Sequence, residues 1–115
     1  MSLDRPIPVF FFKLNSGREP VREWLKSMDR ESRKTIGADI KTLQFQWPVG
    51  MPLYRKLGNH LWELRSRLAI GIARIFFTVY DGKIVLLHGF VKKTQKTPTG
   101  ELANAKRRLT KLRSG

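Results

Sequence analysis

Cysteine is absent, histidine occurs only at His60 and His88, and nine acidic residues face 23 lysines and arginines. Without thiols the chain forms neither a disulfide nor a thiolate metal site. The two histidines stand far apart in sequence, and the carboxylates are too scattered to gather a metal ion. No glycine-rich phosphate loop and no serine-centred elbow occurs. No run approaches the roughly 20 apolar residues that a membrane span needs. The longest early apolar run, Ile7 to Phe12, is broken by Pro8 and is too short for a signal-peptide core. These absences point to a cytoplasmic protein. If it is an enzyme, it works without metal or cofactor and through cationic side chains.

Positive charge is what the chain has in excess, with a formal net of +14 over 115 residues. Residues 1–40 hold 8 basic and 6 acidic groups, whereas residues 41–115 hold 15 basic groups against Glu63, Asp81 and Glu101. Such a surface repels itself, and it favours a polyphosphate partner by releasing condensed counterions. Nucleic acid is therefore the expected partner, with a merely solvated basic surface as the plainer reading. Anionic lipid fits less well, because no segment pairs a basic face with a broad apolar one. The length and the 41% apolar content allow one modest core, so one domain is expected over 1–115.

Periodicity gives the architecture. Val9 to Leu14 reads as a strand closed by Asn15-Ser16-Gly17. Val21, Trp24, Leu25 and Met28 then mark one face of a helix beginning near Glu19, with Pro20 in its first turn. Asp29 can cap a second helix to about Phe45, where Ile36, Ile40, Leu43 and Trp47 keep the helical period. Trp47 to Pro52 breaks all regularity. Beyond it the period becomes two, giving strands over 53–57, 61–67, 70–80 and 83–92. Asp81-Gly82 is the strongest hairpin signal, and Gly58-Asn59 a weaker one. Thr97 and Pro98 suit the start of a last helix whose Leu102, Ala105, Leu109 and Leu112 face the core. The fold class is α+β, in the order β-α-α-β-β-β-β-α, with a mainly antiparallel twisted sheet, a two-helix hairpin and a C-terminal helix.

Strand alternation sorts the cations. Glu63, Arg65 and Arg67 share one face, opposite Trp62 and Leu64; Arg74 shares a face with Phe76, Thr78 and Tyr80. A sheet face holding Arg65, Arg74 and Lys92 or Lys93 would grip a phosphate, with aromatics nearby for base stacking. Each assignment has a plainer alternative. Arg74 can simply pair with Glu63. Lys92, Lys93 and Lys96 can be a solvated strand end and loop. His88, flanked by Leu86 and Phe90, suits a satisfied core histidine. Lys56, Arg67, Arg107 and Arg108 are further phosphate contacts or solvated surface. Glu63 is a weak candidate base, since cations around it favour its charged form.

Three stretches carry a resemblance: Lys56-Leu57-Gly58, Leu61-Trp62-Glu63-Leu64-Arg65 and Arg74-Ile75-Phe76-Phe77. With Leu87-His88-Gly89-Phe90-Val91-Lys92-Lys93-Thr94-Gln95-Lys96-Thr97-Pro98 and the early Pro20-Val21-Arg22-Glu23-Trp24-Leu25, the chain resembles the phage Gp49-like branch of HigB toxins, in the RelE/ParE superfamily. The resemblance implies a RelE/ParE-like fold and the toxin half of a type II toxin–antitoxin pair. Such a toxin is an mRNA endonuclease acting on translated mRNA in the ribosome, and a helix-turn-helix HigA-like antitoxin neutralises it. It also implies that Arg74 clamps the scissile phosphate and that Lys93, with Lys92 beside it, assists the reaction. The Leu61–Arg65 strand departs from RelE, which has lysines there; this leaves the general base open, with Glu63, Tyr80 and His88 as additional candidates.

The residues are consistent with that chemistry. RNA carries its own nucleophile, the 2′-hydroxyl, which an enzyme must orient and deprotonate while stabilising charge on phosphorus. A lysine crowded by cations can act as base while another neutralises the leaving oxygen. Two other readings stay open: a ParE-like inhibitor of DNA gyrase, and a non-catalytic nucleic-acid-binding module.

Overall fold

Period-two alternation after residue 53 and helical periodicity at both ends build three helices on one open sheet. The computed structural model describes residues 6–48, 53–92 and 99–115. The elements run β1 (Val9–Phe11), α1 (Pro20–Lys26), α2 (Arg30–Gln46), β2 (Tyr54–Gly58), β3 (Leu61–Leu68), β4 (Gly71–Tyr80), β5 (Lys83–Lys92) and α3 (Thr99–Ser114). The sheet order is β1-β5-β4-β3-β2. β1 lies parallel to β5 and every other pairing is antiparallel.

The expected order of elements is the observed one, with local differences. β1 is shorter than Val9–Leu14, because the chain turns out of the ladder once the Phe12 amide has bonded to Leu86. The Asp29 carboxylate caps α2 by accepting from the Ser32 backbone N–H at 3.1 Å. Asp81 and Gly82 take φ of 53° and 73°, the two-residue hairpin geometry their sequence demands. The β2–β3 turn is shifted: Asn59 and His60 form it, with His60 at φ 59°, while Gly58 stays in the strand. Thr97 and Pro98, expected to begin the last helix, lie outside the described residues.

Each sheet face has its own core. Leu64, Ala73, Ile75, Phe77, Ile84 and Leu86 pack beneath α1 and α2 with Val21, Ile36 and Leu43. Leu61, Phe76, Val85, Leu87 and Phe90 pack beneath α3 with Ala105 and Leu109. Neighbouring residues of one strand thus serve opposite layers, which is what alternation produces. In β5 the alternation breaks once. Phe76 pairs with His88 and Phe77 with Leu86, so Leu87 is an extra residue. This bulge brings His88 and Phe90 onto the α3 face beside Leu87 and leaves Leu86 on the other face, correcting the expectation that Leu86 flanks His88.

Trp24 fastens α1 to β5 by packing its ring against Gly89. A Cβ at Gly89 would stand 2.7 Å from Trp24 Cε3, well inside contact distance. Gly89→Ala should lower stability by about 1–3 kcal/mol, the usual cost of overpacking, in a urea titration. An unchanged midpoint would mean that the ring swings away at no cost.

Candidate active site

Four strands bring charge to the α3 side of the sheet. Glu63 sits in β3 opposite Arg55 of β2; Arg65 sits opposite Arg74 of β4; Arg74 sits opposite Phe90 of β5, and Ile72 opposite Lys92. With a period of two, Arg55, Glu63, Arg65, Arg74 and Lys92 all lie on this face. Glu63 is 1% exposed and Arg74 5%. Arg74 donates from one terminal nitrogen to both Glu63 carboxylate oxygens, at 3.1 Å each. Arg55 donates from Nε to Glu63 Oε1 at 3.0 Å. One buried carboxylate thus holds two guanidinium groups, a geometry in which attraction and hydrogen bonding offset the desolvation of both charges. The Arg74 Nε is buried and has no hydrogen-bond partner.

Lys92 closes the cluster at the end of β5. Partial burial holds its ammonium below the usual lysine range, and the positive charge of Arg74 depresses it further; Glu63 opposes this, and Arg55 and Arg65 add to the depression. Beside the cluster, Arg65 and Arg67 line a cavity of about 520 Å³ with Thr35, Asp39, Leu53 and Ile72. A phosphate arriving here meets several cations in a partly desolvated setting.

The structure brings Arg74, Lys92, Glu63 and Arg65 together; alternation places the first of these with Glu63 and Arg65, and the β5 bulge turns Lys92 to the same face. The pairing of Arg74 with Glu63 is real, and it occurs inside the cation cluster. Lys56 does not belong there. It pairs with Trp62 and sets its ammonium 5.8 Å from that ring's centroid, on the α1–α2 side. The register shifts between Lys56 and Gly58. Continuing the Gly58–Leu61 register would have set Lys56 opposite Glu63; the irregularity at Leu57 puts Arg55 there instead. Arg55 is the functional residue that alternation alone misses. Two adjacent cations precede the turn, and only the bulge decides which one faces Glu63.

The expectation of stacking aromatics beside Arg74 is also corrected. Phe76 is 0% exposed and Phe90 7%, both packed beneath α3, so neither offers a face to a base. Tyr80 lies six residues along β4 from Arg74, about 20 Å at ~3.3 Å per residue. His88 is the satisfied histidine expected: Nε2 meets Glu101 at 2.8 Å and Nδ1 meets Arg108 at 3.2 Å, with Phe76 and Phe90 stacked beside the ring. Arg108 also donates to the Leu87 carbonyl at 2.8 Å, so it ties α3 to the β5 bulge. Arg107 is exposed and bonds Asn104 on its own helix. Lys93 and Lys96 lie outside the described residues. Among the described residues, no three histidine, aspartate or glutamate side chains gather as metal ligands, and no helix is long and apolar enough to cross a membrane.

A small α+β protein with a cation cluster built around a buried carboxylate on one sheet face is the class that fold and site define. The model of the phage-derived Gp49-like protein family matches residues 23–110, and the chain belongs to that family, a branch of the RelE/HigB toxin-like superfamily. The match spans every strand of the cluster. The family is generally associated with endoribonuclease toxins, and a toxin-like module implies an antitoxin partner. No curated protein matches the chain.

Proposed function

We propose that this chain is a RelE/ParE-like toxin domain over 1–115, the toxin of a type II toxin–antitoxin pair. Its activity is metal-independent endonucleolytic cleavage of mRNA during translation on the ribosome, and a HigA-like helix-turn-helix antitoxin neutralises it. The observation that carries this reading is the gathering of Arg55, Arg65, Arg74 and Lys92 on one sheet face. Arg74 clamps the scissile phosphate, oriented by Glu63. Neutral Lys92 takes the proton of the 2′-hydroxyl as its oxygen bonds phosphorus and the bond to the 5′-oxygen breaks. Lys93, next along the chain, neutralises the leaving oxygen, and the guanidinium groups hold the charge that builds on the phosphoryl oxygens. Arg65, Arg67 and Lys96 guide the flanking strand, and the cavity beside Arg65 accommodates a neighbouring nucleotide. DNA lacks the 2′-hydroxyl and is not cut by this route.

Primer extension on translated messages after pulsed expression tests the proposal. New 5′ ends should appear with the wild type and vanish with Arg74→Ala and with Lys92→Ala/Lys93→Ala. Circular dichroism should show that both variants fold. Intact messages alongside relaxed or broken chromosomal DNA would sink the nuclease reading and point to gyrase inhibition.

A further inference from the structure

The far end of the sheet carries a second surface that this chemistry does not use. Among the described residues β1 is an edge strand, paired with β5 alone. Between it and α3 run two cavities that share Phe12 and Lys111. One, about 490 Å³, is lined by Phe10, Phe12, Tyr80, Val85 and Leu112 among others. The other, about 660 Å³, is lined by Phe12 and Leu14 and by the basic face of α3. Phe10 is 50% exposed, a large side chain left open at the groove's mouth. Lys13, Lys106, Arg107 and Lys111 stand along the groove, with Lys83 paired to Asp81 at 3.0 Å, and no aspartate or glutamate lines either cavity. Lys83 and Lys92 sit at opposite ends of β5, about 30 Å apart at ~3.3 Å per residue, so groove and cation cluster are separate sites.

We infer that this groove docks an acidic, amphipathic segment of a partner protein, whose apolar side chains fill the two cavities and whose carboxylates meet the lysine rim. An apolar floor ringed by one sign of charge selects the opposite sign around an apolar anchor. A second copy of the chain does not suit the groove, because it brings the same net +14. RNA suits it less well. The floor residues Phe12, Leu14, Val85 and Leu112 offer no side-chain polar group to a base. Cations stand beside the two rings, with Lys83 5.6 Å from the Phe10 centroid and Arg113 6.0 Å from that of Tyr80. The inference goes beyond the nuclease reading and stands whether or not the chain cuts RNA.

A fluorescein-labelled peptide of about 15 residues, near the least length that holds a helix in water, tests it. The probe has leucine at every third or fourth position and glutamate elsewhere, and its anisotropy is followed with the intact protein. Binding should weaken at least about tenfold with Phe10→Ser and with Lys106→Glu/Lys111→Glu. Lys34→Glu/Lys41→Glu on α2 changes net charge equally and should alter affinity less than about threefold, which separates the groove from general attraction to a basic protein. Equal weakening by the α2 pair, no effect of Phe10→Ser, or no binding of the peptide would each overturn the proposal. So would a uridine oligonucleotide that binds in place of the peptide and loses affinity with the groove variants. Message cleavage by Phe10→Ser, followed by primer extension, reports on the other site and should be retained.

Discussion

Replacing Glu63 with alanine should destabilise the protein by about 3–5 kcal/mol, the range for removing one partner of a buried ion pair. Arg74, with a side chain 6% exposed, would lose the acceptor of its two bonds at 3.1 Å. It would be left as a buried charge facing Arg65 across the strands and close to Lys92. Arg55→Ala is the informative contrast. That side chain is 45% exposed, so its pair with Glu63 is largely solvated on one side and its loss should cost about 1 kcal/mol or less. Urea titrations of the two variants at neutral pH make the comparison. Similar midpoints would mean that water reaches Arg74 and that the cluster is not sealed by its carboxylate. The same geometry bears on chemistry. Three guanidinium hydrogen bonds engage the Glu63 oxygens, so the carboxylate is the counter-ion that fixes where Arg74 and Arg55 stand.

Much of this arrangement is legible in the sequence, because side chains alternate between the two faces along any strand, whatever their polarity. Arg74 within Gly71–Tyr80 falls on the opposite side from Ala73 and Ile75, and the two cores divide that way. The Asp81-Gly82 turn fixed the β4–β5 register near the turn, since few other sequences close a two-residue hairpin. What escaped were the irregularities. No residue type marks Leu57 or Leu87 as an extra residue in a ladder, yet each moves side chains to the other face. The first puts Arg55 rather than Lys56 on Glu63; the second turns His88, Phe90 and Lys92 to the α3 side, where the register set by the turn would have put Gly89 and Val91. The burial of Phe76 and Phe90 was hidden for a different reason. Alternation assigns a side chain to a face, but only the path of α3 decides whether that face is open. The basic stripe of α3 divides in the same way: Arg108 reaches inward to the Leu87 carbonyl, while Lys106, Arg107 and Lys111 are exposed.

Lys92→Arg should lower the cleavage rate by about 10²–10⁴-fold, the usual contribution of a general base, while RNA affinity changes little. Arginine keeps the positive charge and does not release its proton near neutral pH, so the substitution separates proton transfer from phosphate binding. The wild-type rate should also depend on pH with a definite sign. A base must be uncharged to act, and the uncharged fraction of Lys92 grows as pH rises towards its depressed pKa. The logarithm of the single-turnover rate on ribosome-bound message should therefore climb with pH, with a slope near one below the depressed pKa and a plateau above it. Partial burial and the neighbouring cations Arg74, Arg55 and Arg65 cause the depression, so removing a cation should return Lys92 towards its ordinary range. Arg65→Ala, exposed and outside the buried pair, is the variant of choice, and it should shift the profile to more alkaline pH. Loss of the slope in Lys92→Arg would confirm the assignment. An unchanged slope in that variant would place the titrating base elsewhere and leave Lys92 a purely electrostatic part. That outcome would direct attention to Lys93, the adjacent cation of the same segment.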